Sequence, residues 1–301
     1  MKKLFFFILS FFSNFLLSQH EVEIVVLGTL QDGGLPHINC SRVCCLNKLK
    51  TSDYKVSSLG LADCMDKKFY IFDATPDFPS QFNYMKNNYG FDLNGIFLTH
   101  AHIGHYSGIM FLGKEAMNSN SVPVYVMPRM YDFLTNNGPW SQLIDQSNIV
   151  VSKIFNDEQH RISKDLVVRP IIVPHRDEFS ETVGFFIQGP NKKILFIPDI
   201  DKWSKWKISL KDIINDLDLL FIDGTFYDNS EISYRSIDEI PHPFVVETIE
   251  YLDSLSLSDK NKIYFIHMNH TNPLLERNNE ITYKVLSEGY NIAKIGQTFK
   301  L

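Results

Sequence analysis

Short apolar runs alternate with amphipathic segments along the chain after its first twenty residues. The runs are rich in Val, Ile, Leu and Phe and are bounded by Gly, Pro, Asn or Asp, a pattern typical of buried strands. They predict strands at residues 22–27, 57–63, 69–72, 96–98, 122–126, 149–155, 166–173, 182–188, 193–198, 219–222 and 263–266. The amphipathic segments predict helices at residues 77–87, 106–117, 129–136, 244–253 and 280–288. Strands interleaved with helices favour a layered α/β architecture.

The amino-terminal segment differs from the rest of the chain. Lys2 and Lys3 are basic, and residues 4–17 are almost entirely Phe, Leu, Ile and Ser. This pattern predicts a secretory signal peptide at residues 1–18, with a retained anchor as the alternative. No later stretch is long and apolar enough to cross a bilayer. We therefore expect an exported protein, periplasmic or secreted, with a single domain at residues 20–301.

Composition and charge narrow the classes of partner. The chain is 44% hydrophobic, and its Gly and Pro contents are ordinary, which excludes a fibrous or disordered protein. The formal net charge of −6 argues against nucleic acid as the main partner. A small-molecule substrate is expected, and the oligomeric state is left open.

Three of the four cysteines, Cys40, Cys44 and Cys45, fall within six positions. Three close thiolates suit a structural zinc ion with a histidine as fourth ligand, and His37 is the nearest candidate. Adjacent cysteines do not readily pair with each other, but a disulfide stays open as the alternative in an exported protein. Cys64 lies in a strand-like run and is expected to be a small buried side chain.

Three histidines follow the strand predicted at residues 96–98. His100 and His102 are two positions apart, so on an extended segment they face the same side. His105 can reach a position beside the same ion, because the chain turns into a helix after His102. Neutral imidazole is a common ligand of zinc, iron and manganese, so this motif predicts a metal site.

Further ligand-type side chains follow other predicted strands. His175 comes after an apolar run at residues 171–174, Asp199 after one at 194–198, and His267 after one at 263–266. Because strand ends converge on one edge of a sheet, we expect these groups to meet the three histidines there.

These residues occur in the order of the metal-binding motif of the metallo-β-lactamase superfamily, which the chain resembles over residues 22–300. The matching positions are His100, His102, His105, His175, Asp199 and His267. The resemblance implies an α/β fold, a four-layer αββα sandwich, with these residues as metal ligands at the sheet edge. It also implies that Asp73 supports a ligand. The motif's aspartate falls at Gly104, which leaves one ligand fewer for a second metal and favours a single ion or an asymmetric pair.

Within the superfamily, a closer resemblance is to the family of pyrroloquinoline quinone biosynthesis protein B. It is carried by the sequences at residues 27–40, 220–226 and 267–273. In that family the triple-histidine motif is partly replaced, whereas this chain keeps all three histidines. The resemblance therefore indicates a sister branch.

A metal-dependent hydrolase is the favoured function, acting on an ester, lactone, amide or phosphodiester through a metal-activated water. One or two zinc ions are expected, and iron or manganese also suits the ligands. Asp199 is expected to orient the water, and His242 and His270 are candidates for proton donation or substrate contact. Asp223 is expected to fix a ligand histidine.

Two other functions stay open. His105, His267 and Asp199 form a set of two histidines and one carboxylate, which suits non-haem iron. The resemblance to the quinone biosynthesis family implies an oxidation in that case. The remaining alternative is an exported carrier without catalytic activity, although a carrier has no need of the full histidine set.

Overall fold

The computed structural model describes residues 21–46, 54–232 and 240–301. The predicted signal peptide at residues 1–18 lies outside this part of the chain. The strands are β1 (Val22–Gly28), β2 (Ser58–Asp63), β3 (Lys68–Phe72), β4 (Asp92–Phe97), β5 (Val122–Val126), β6 (Ile149–Lys153), β7 (His160–Arg161), β8 (Val167–Ile172), β9 (Val183–Gln188), β10 (Lys193–Ile197), β11 (Leu219–Asp223), β12 (Ile263–Ile266), β13 (Asn291–Ile292) and β14 (Thr298–Lys300).

Helices lie between many of these strands. They are α1 (Val43–Leu46), α2 (Phe78–Tyr89), α3 (Ile103–Tyr106), α4 (Pro128–Asn136), α5 (Trp140–Asp145), α6 (Leu210–Ile213), α7 (Val245–Tyr251), α8 (Leu257–Lys260) and α9 (Glu280–Ser287). Short 3₁₀ segments occur at Ser107–Leu112, Trp203–Lys205, Ile214–Asp216, Asn229–Glu231 and Pro273–Leu275.

The strands form two mixed sheets of seven strands each. The first has the order β14-β1-β2-β3-β4-β5-β6, and the second has the order β13-β12-β11-β10-β9-β8-β7. Strand β1 runs in the direction of β3, because both are antiparallel to β2, and β8 runs in the direction of β10 for the same reason. The carboxyl ends of β1, β3 and β4 therefore share one edge of the first sheet, and those of β8, β10, β11 and β12 share one edge of the second.

Both faces of the central strands are buried, which explains their continuous apolar sequences. On β1, Ile24 and Val26 join the core between the sheets, whereas Val25 and Leu27 join the core between the first sheet and its helices. A third apolar core separates the second sheet from its own helices. Three cores between four layers make an αββα sandwich, and the predicted fold is confirmed.

The helix predicted at residues 106–117 is wrong in its extent, because α3 ends at Tyr106 and a 3₁₀ segment follows. The helix does not continue because the backbone at Gly108 packs closely against the loop after β3. The N–H of Gly108 donates to the carbonyl of Ala74, and a Cβ at Gly108 would lie 2.2 Å from the carbonyl oxygen of Thr75. Among the described residues, no helix has the length and apolar character needed to span a membrane.

Candidate metal centre

Strand ends from both sheets meet at one edge of the sandwich. His100 and His105 follow β4, Asp199 follows β10 and His267 follows β12. The Asp199 Oδ2 atom lies 3.4 Å from His100 Nε2 and 3.9 Å from His105 Nε2, and the latter lies 3.2 Å from His267 Nε2. The expected convergence of these side chains is therefore present in the structure.

The first cluster consists of His100, His102, His175 and Asp199. The Nδ1 atom of His102 lies 2.8 Å from His100 Nε2 and 3.3 Å from His175 Nε2. Asp199 Oδ2 lies 3.2 Å from His175 Nε2 and 3.9 Å from His102 Nδ1. Three ring nitrogens and one carboxylate oxygen thus face a common point.

The second cluster consists of Asp32, His105 and His267. Asp32 Oδ1 lies 3.2 Å from His105 Nε2 and 3.3 Å from His267 Nε2, and the two nitrogens are 3.2 Å apart. Ligand bonds of about 2.0–2.2 Å in a tetrahedral zinc site put neighbouring ligand atoms about 3.3–3.6 Å apart. The three atoms therefore already have nearly the spacing of a metal site.

Hydrogen bonds on the outer side of the rings fix which nitrogens carry protons. Nδ1 of His105 donates to Asp73 Oδ2 at 2.8 Å. The Thr99 hydroxyl donates to the same carboxylate at 3.0 Å, so it accepts from Nδ1 of His100 at 2.9 Å. Nδ1 is thus the outer, proton-bearing atom of both rings, and Nε2 faces the centre. Burial would lower the pKa of His105, but Asp73 and Asp32 raise it well above its usual range, so a metal ion that binds at this Nε2 displaces a proton.

The same arrangement holds His267. Its Nδ1 donates to the Thr225 hydroxyl at 2.9 Å, and that hydroxyl donates to Asp223 Oδ1 at 2.7 Å. His102 differs, because Nε2 is its outer atom and lies 3.0 Å from Glu178 Oε2. Carboxylates and hydroxyls behind ligand histidines orient the rings of metal sites in this way.

Asp223 and His242 form a buried pair beside the two clusters. Asp223 Oδ2 accepts from Nδ1 of His242 at 2.8 Å, and Asp199 Oδ1 lies 3.2 Å from the same nitrogen. Burial alone would lower the pKa of His242, but the carboxylates of Asp223 and Asp199 outweigh it and raise the pKa to about 10. The ring is therefore protonated at neutral pH.

The charge of the centre favours a cation. Burial would raise the pKa of Asp199, but His175 and His242 hold it well below its usual range. Burial would also raise the pKa of Asp32, but His105 and His267 hold it well below its usual range. The low pKa values keep both carboxylates ionised at neutral pH, so both can act as ligands of a cation in a medium of low polarity. The donor set suits zinc, iron or manganese.

The cysteines form a separate cluster. Cys40, Cys44, Cys45 and His270 have ligand atoms within 4.8 Å of one another, and all four cysteines of the chain are free thiols. Nδ1 of His270 lies 3.0 Å from Asn269 Oδ1, which leaves Nε2 free to bind a metal. Burial, with His37 and Arg42 nearby, lowers the pKa of His270 to about 4, so its imidazole is neutral.

The structure places two residues differently from what the sequence led us to expect. His37 was the expected fourth ligand of the cysteines, but its Nδ1 lies 2.9 Å from its neighbour's carbonyl at Ile38, and its ring stacks on His270 at 4.4 Å. His270 was a candidate catalytic residue, but it stands with the cysteines and is absent from the metal-ligand groups of the histidine centre. Folding brings His270 to the cysteines from more than 200 positions away, and spacing cannot reveal this.

Four further residues of the centre were not singled out from the sequence: Asp32, Thr99, Glu178 and Thr225. Thr99 and Thr225 each lie near a strand end, and Thr225 also belongs to the stretch at residues 220–226 that carries the family resemblance. Asp32 follows β1, whose carboxyl end lies at the same edge as those of β3 and β4. That shared direction is the signal that could have identified it.

Comparisons with known proteins agree with this geometry. The family model described as the beta-lactamase superfamily domain matches residues 69–268. Coenzyme PQQ synthesis protein B of Rhizobium meliloti (strain 1021) is 23% identical over 313 residues, covering 93% of this chain and 98% of that protein. The crystal structure of Zn²⁺-bound PqqB from Methylobacterium extorquens superimposes with a TM-score of 0.74 at 20% identity, covering 93% and 100% of the two chains. A diphosphatase of the PhnP family gives 0.67 at 20% identity, covering 93% and 97%. The chain belongs to the metallo-β-lactamase superfamily and is similar, within it, to coenzyme PQQ synthesis protein B.

Proposed function

We propose that the protein is a metal-dependent hydrolase whose ions, zinc in the first instance, are held by the histidines of the two clusters and by Asp199. The observation that carries the proposal is the inward orientation of ring nitrogens around Asp199, with each ring fixed by a partner on its outer side. A carrier has no need of such an oriented donor set. A bound divalent cation supplies a water of lowered pKa and stabilises developing negative charge on the substrate.

The chain's own residues supply orientation and a proton. Asp199 lies between the clusters, with Oδ2 near ligand nitrogens of both. His242 keeps its proton at neutral pH, and its Nδ1–H is held by Asp223. We assign His242 as the group that protonates the leaving oxygen or nitrogen.

The substrate is a small molecule with an ester, lactone, amide or phosphodiester bond. Phosphate esters and anhydrides come first in this proposal, because one of the similar structures is a diphosphatase. Their negative charge also suits a centre that holds cations.

The test is a screen of the purified protein against these four bond classes and against phosphate anhydrides, with metal content measured on the same sample. His102→Ala should abolish turnover, because it removes a ligand nitrogen of the first cluster. His160→Ala is the matched control, since that histidine lies in β7 and its ring contacts Tyr125. Unchanged turnover in His102→Ala would refute hydrolysis at this centre, and ligand binding without turnover in either protein would favour the carrier.

An iron-dependent oxidation is the second candidate. His105, His267 and Asp199 form a set of two histidines and one carboxylate, the ligand set of non-haem iron oxygenases. Similar proteins also carry the name coenzyme PQQ synthesis protein B. Oxygen consumption by the iron(II)-loaded protein with phenolic amino-acid substrates, absent from the zinc-loaded protein, would select this function over hydrolysis.

We also propose that Cys40, Cys44, Cys45 and His270 hold a structural zinc ion, since three thiols and one imidazole are a common structural zinc set.

The export expected from residues 1–18 is likewise a proposal. This proposal is tested by fractionating cells that express either the full chain or a chain without residues 1–18.

A further inference from the structure

Gly104 and Asp32 compete for the same space in the centre. Gly104 lies in α3 between His102 and His105, where the resemblance to the superfamily implies an aspartate. A Cβ built on Gly104 would lie 2.5 Å from both Cγ and Oδ1 of Asp32, and 2.7 Å from its Cα. These distances are far below the roughly 3.5–4.0 Å of van der Waals contact. A side chain at position 104 and Asp32 in its present place therefore exclude each other.

The backbone fixes Asp32 beside a ligand histidine. The Gln31 N–H donates to the carbonyl of Met268 at 2.9 Å, and the Met268 N–H donates to the carbonyl of Thr29 at 2.8 Å. Met268 directly follows His267, so the loop after β1 is held against the end of β12. Only 16% of the Asp32 side chain is exposed, which distinguishes it from a solvated surface carboxylate.

The atoms around Asp32 are arranged as in a metal site. His105 and His267 both donate from Nδ1 to outer partners, so Nε2 is the atom that each ring turns toward Asp32. These two atoms lie 3.2 Å apart and face the same carboxylate oxygen. Two ring nitrogens and a carboxylate oxygen at this spacing match the separation of neighbouring ligand atoms in a tetrahedral zinc site.

We propose that Asp32 is a ligand of the second metal ion, and that it supplies from the loop after β1 the carboxylate that is missing at position 104. The inference rests on the metal centre of the proposed function and adds a ligand to it. The second ion is then held by Asp32, His105, His267 and the shared Asp199, so the absence of an acidic residue at Gly104 does not reduce the number of ligands.

Zinc stoichiometry tests the proposal without any substrate. Metal-free protein is loaded with zinc, dialysed against a chelator of graded strength and analysed for metal content. Wild type should hold two ions in the histidine centre, and Asp32→Asn should hold one fewer, with affinity for the second ion at least about 100-fold weaker. That factor is the upper end of what the loss of a mere supporting partner costs. Asp66→Asn, in the exposed turn between β2 and β3, is the control.

The double variant Asp32→Gly with Gly104→Asp moves the carboxylate to the other position. It should regain the ion, whereas Gly104→Asp alone should lose it through the clash with Asp32. Thermal unfolding of the metal-free variants shows whether each is folded. If Asp32→Asn does not fold, Asp32→Gly takes its place in the zinc measurement.

Full zinc content in folded Asp32→Asn, a single ion in the centre of the wild type, or a double variant that stays one ion short would each overturn the proposal. Absence of hydrolysis in every assay would instead refute the proposed function and leave the zinc count unaffected.

Discussion

Asp73 accepts a hydrogen bond from Nδ1 of His105 at 2.8 Å, and both side chains are completely buried. The same carboxylate accepts from the hydroxyl and the N–H of Thr99. One aspartate therefore orients His105 directly and His100 through Thr99. Asp73 has φ +67°, a left-handed conformation in which Asp and Asn are tolerated better than most residues.

Asp73→Asn should weaken zinc binding while leaving the backbone in place. The amide NH₂ has to face a donor that now bonds to a carboxylate oxygen, so His105 or Thr99 loses its partner. We expect zinc affinity about 10–100-fold lower, measured by competition with a chromophoric chelator. Undiminished affinity in this variant would show that Asp73 does not orient the ligands.

Glu178→Gln should have a smaller effect. Glu178 Oε2 lies 3.0 Å from Nε2 of His102, but 49% of its side chain is exposed, and water can replace the lost contact. We expect a decrease in zinc affinity of less than about tenfold in the same titration. A loss as large as that of Asp73→Asn would contradict the argument from exposure.

Replacing His270 and His37 one at a time should show which of the two histidines is the fourth zinc ligand beside the cysteines. His270→Ala should lose one zinc equivalent and lower Tm, whereas His37→Ala should keep the zinc, because its ring only stacks on His270. Cys44→Ser should behave like His270→Ala, with Cys64→Ser, outside this cluster, as the matched control. Zinc retained in His270→Ala and lost in His37→Ala would restore the original assignment.

Glu231 should make stability depend on pH. Burial raises its pKa to about 7, although its oxygens accept from the Thr271 hydroxyl at 2.6 Å and the Tyr227 N–H at 2.5 Å. The folded protein then binds this proton more tightly than the unfolded chain does. The resulting stabilisation is present in full below the unfolded pKa of about 4.5 and is lost as pH rises through 7.

Glu231→Gln removes this loss, so its free energy of unfolding relative to wild type should rise between pH 5 and pH 8, by at most about 3 kcal/mol. Urea unfolding at both pH values measures the difference, and Glu115→Gln, an exposed residue, is the control. An equal difference at the two pH values would rule out the raised pKa.

The fold and much of the metal centre could be predicted because several strands share one sequence pattern, an apolar run followed by a histidine or an aspartate. Apolar runs ended by His175, Asp199 or His267 become β8, β10 and β12, and parallel directions bring their ends together. The superfamily resemblance adds Asp73, which the structure places behind His105.

The rest depends on contacts that no local pattern records. Asp32 meets His267 across 235 positions, and His102 meets Glu178 across 76. The helix predicted at residues 106–117 fails for a similar reason, since the neighbour that approaches Gly108 belongs to the loop after β3. Loop placement is set by tertiary packing, so these residues could be recognised only in the folded chain.

The two sheets each contribute an incomplete set of ligands. Residues 22–153 supply Asp32, His100, His102 and His105, and the later strands supply His175, Asp199 and His267. Neither half alone carries all the residues of either cluster. Under the proposed function, the protein retains metal only while its two halves are packed together, and metal binding in turn stabilises the assembled sandwich.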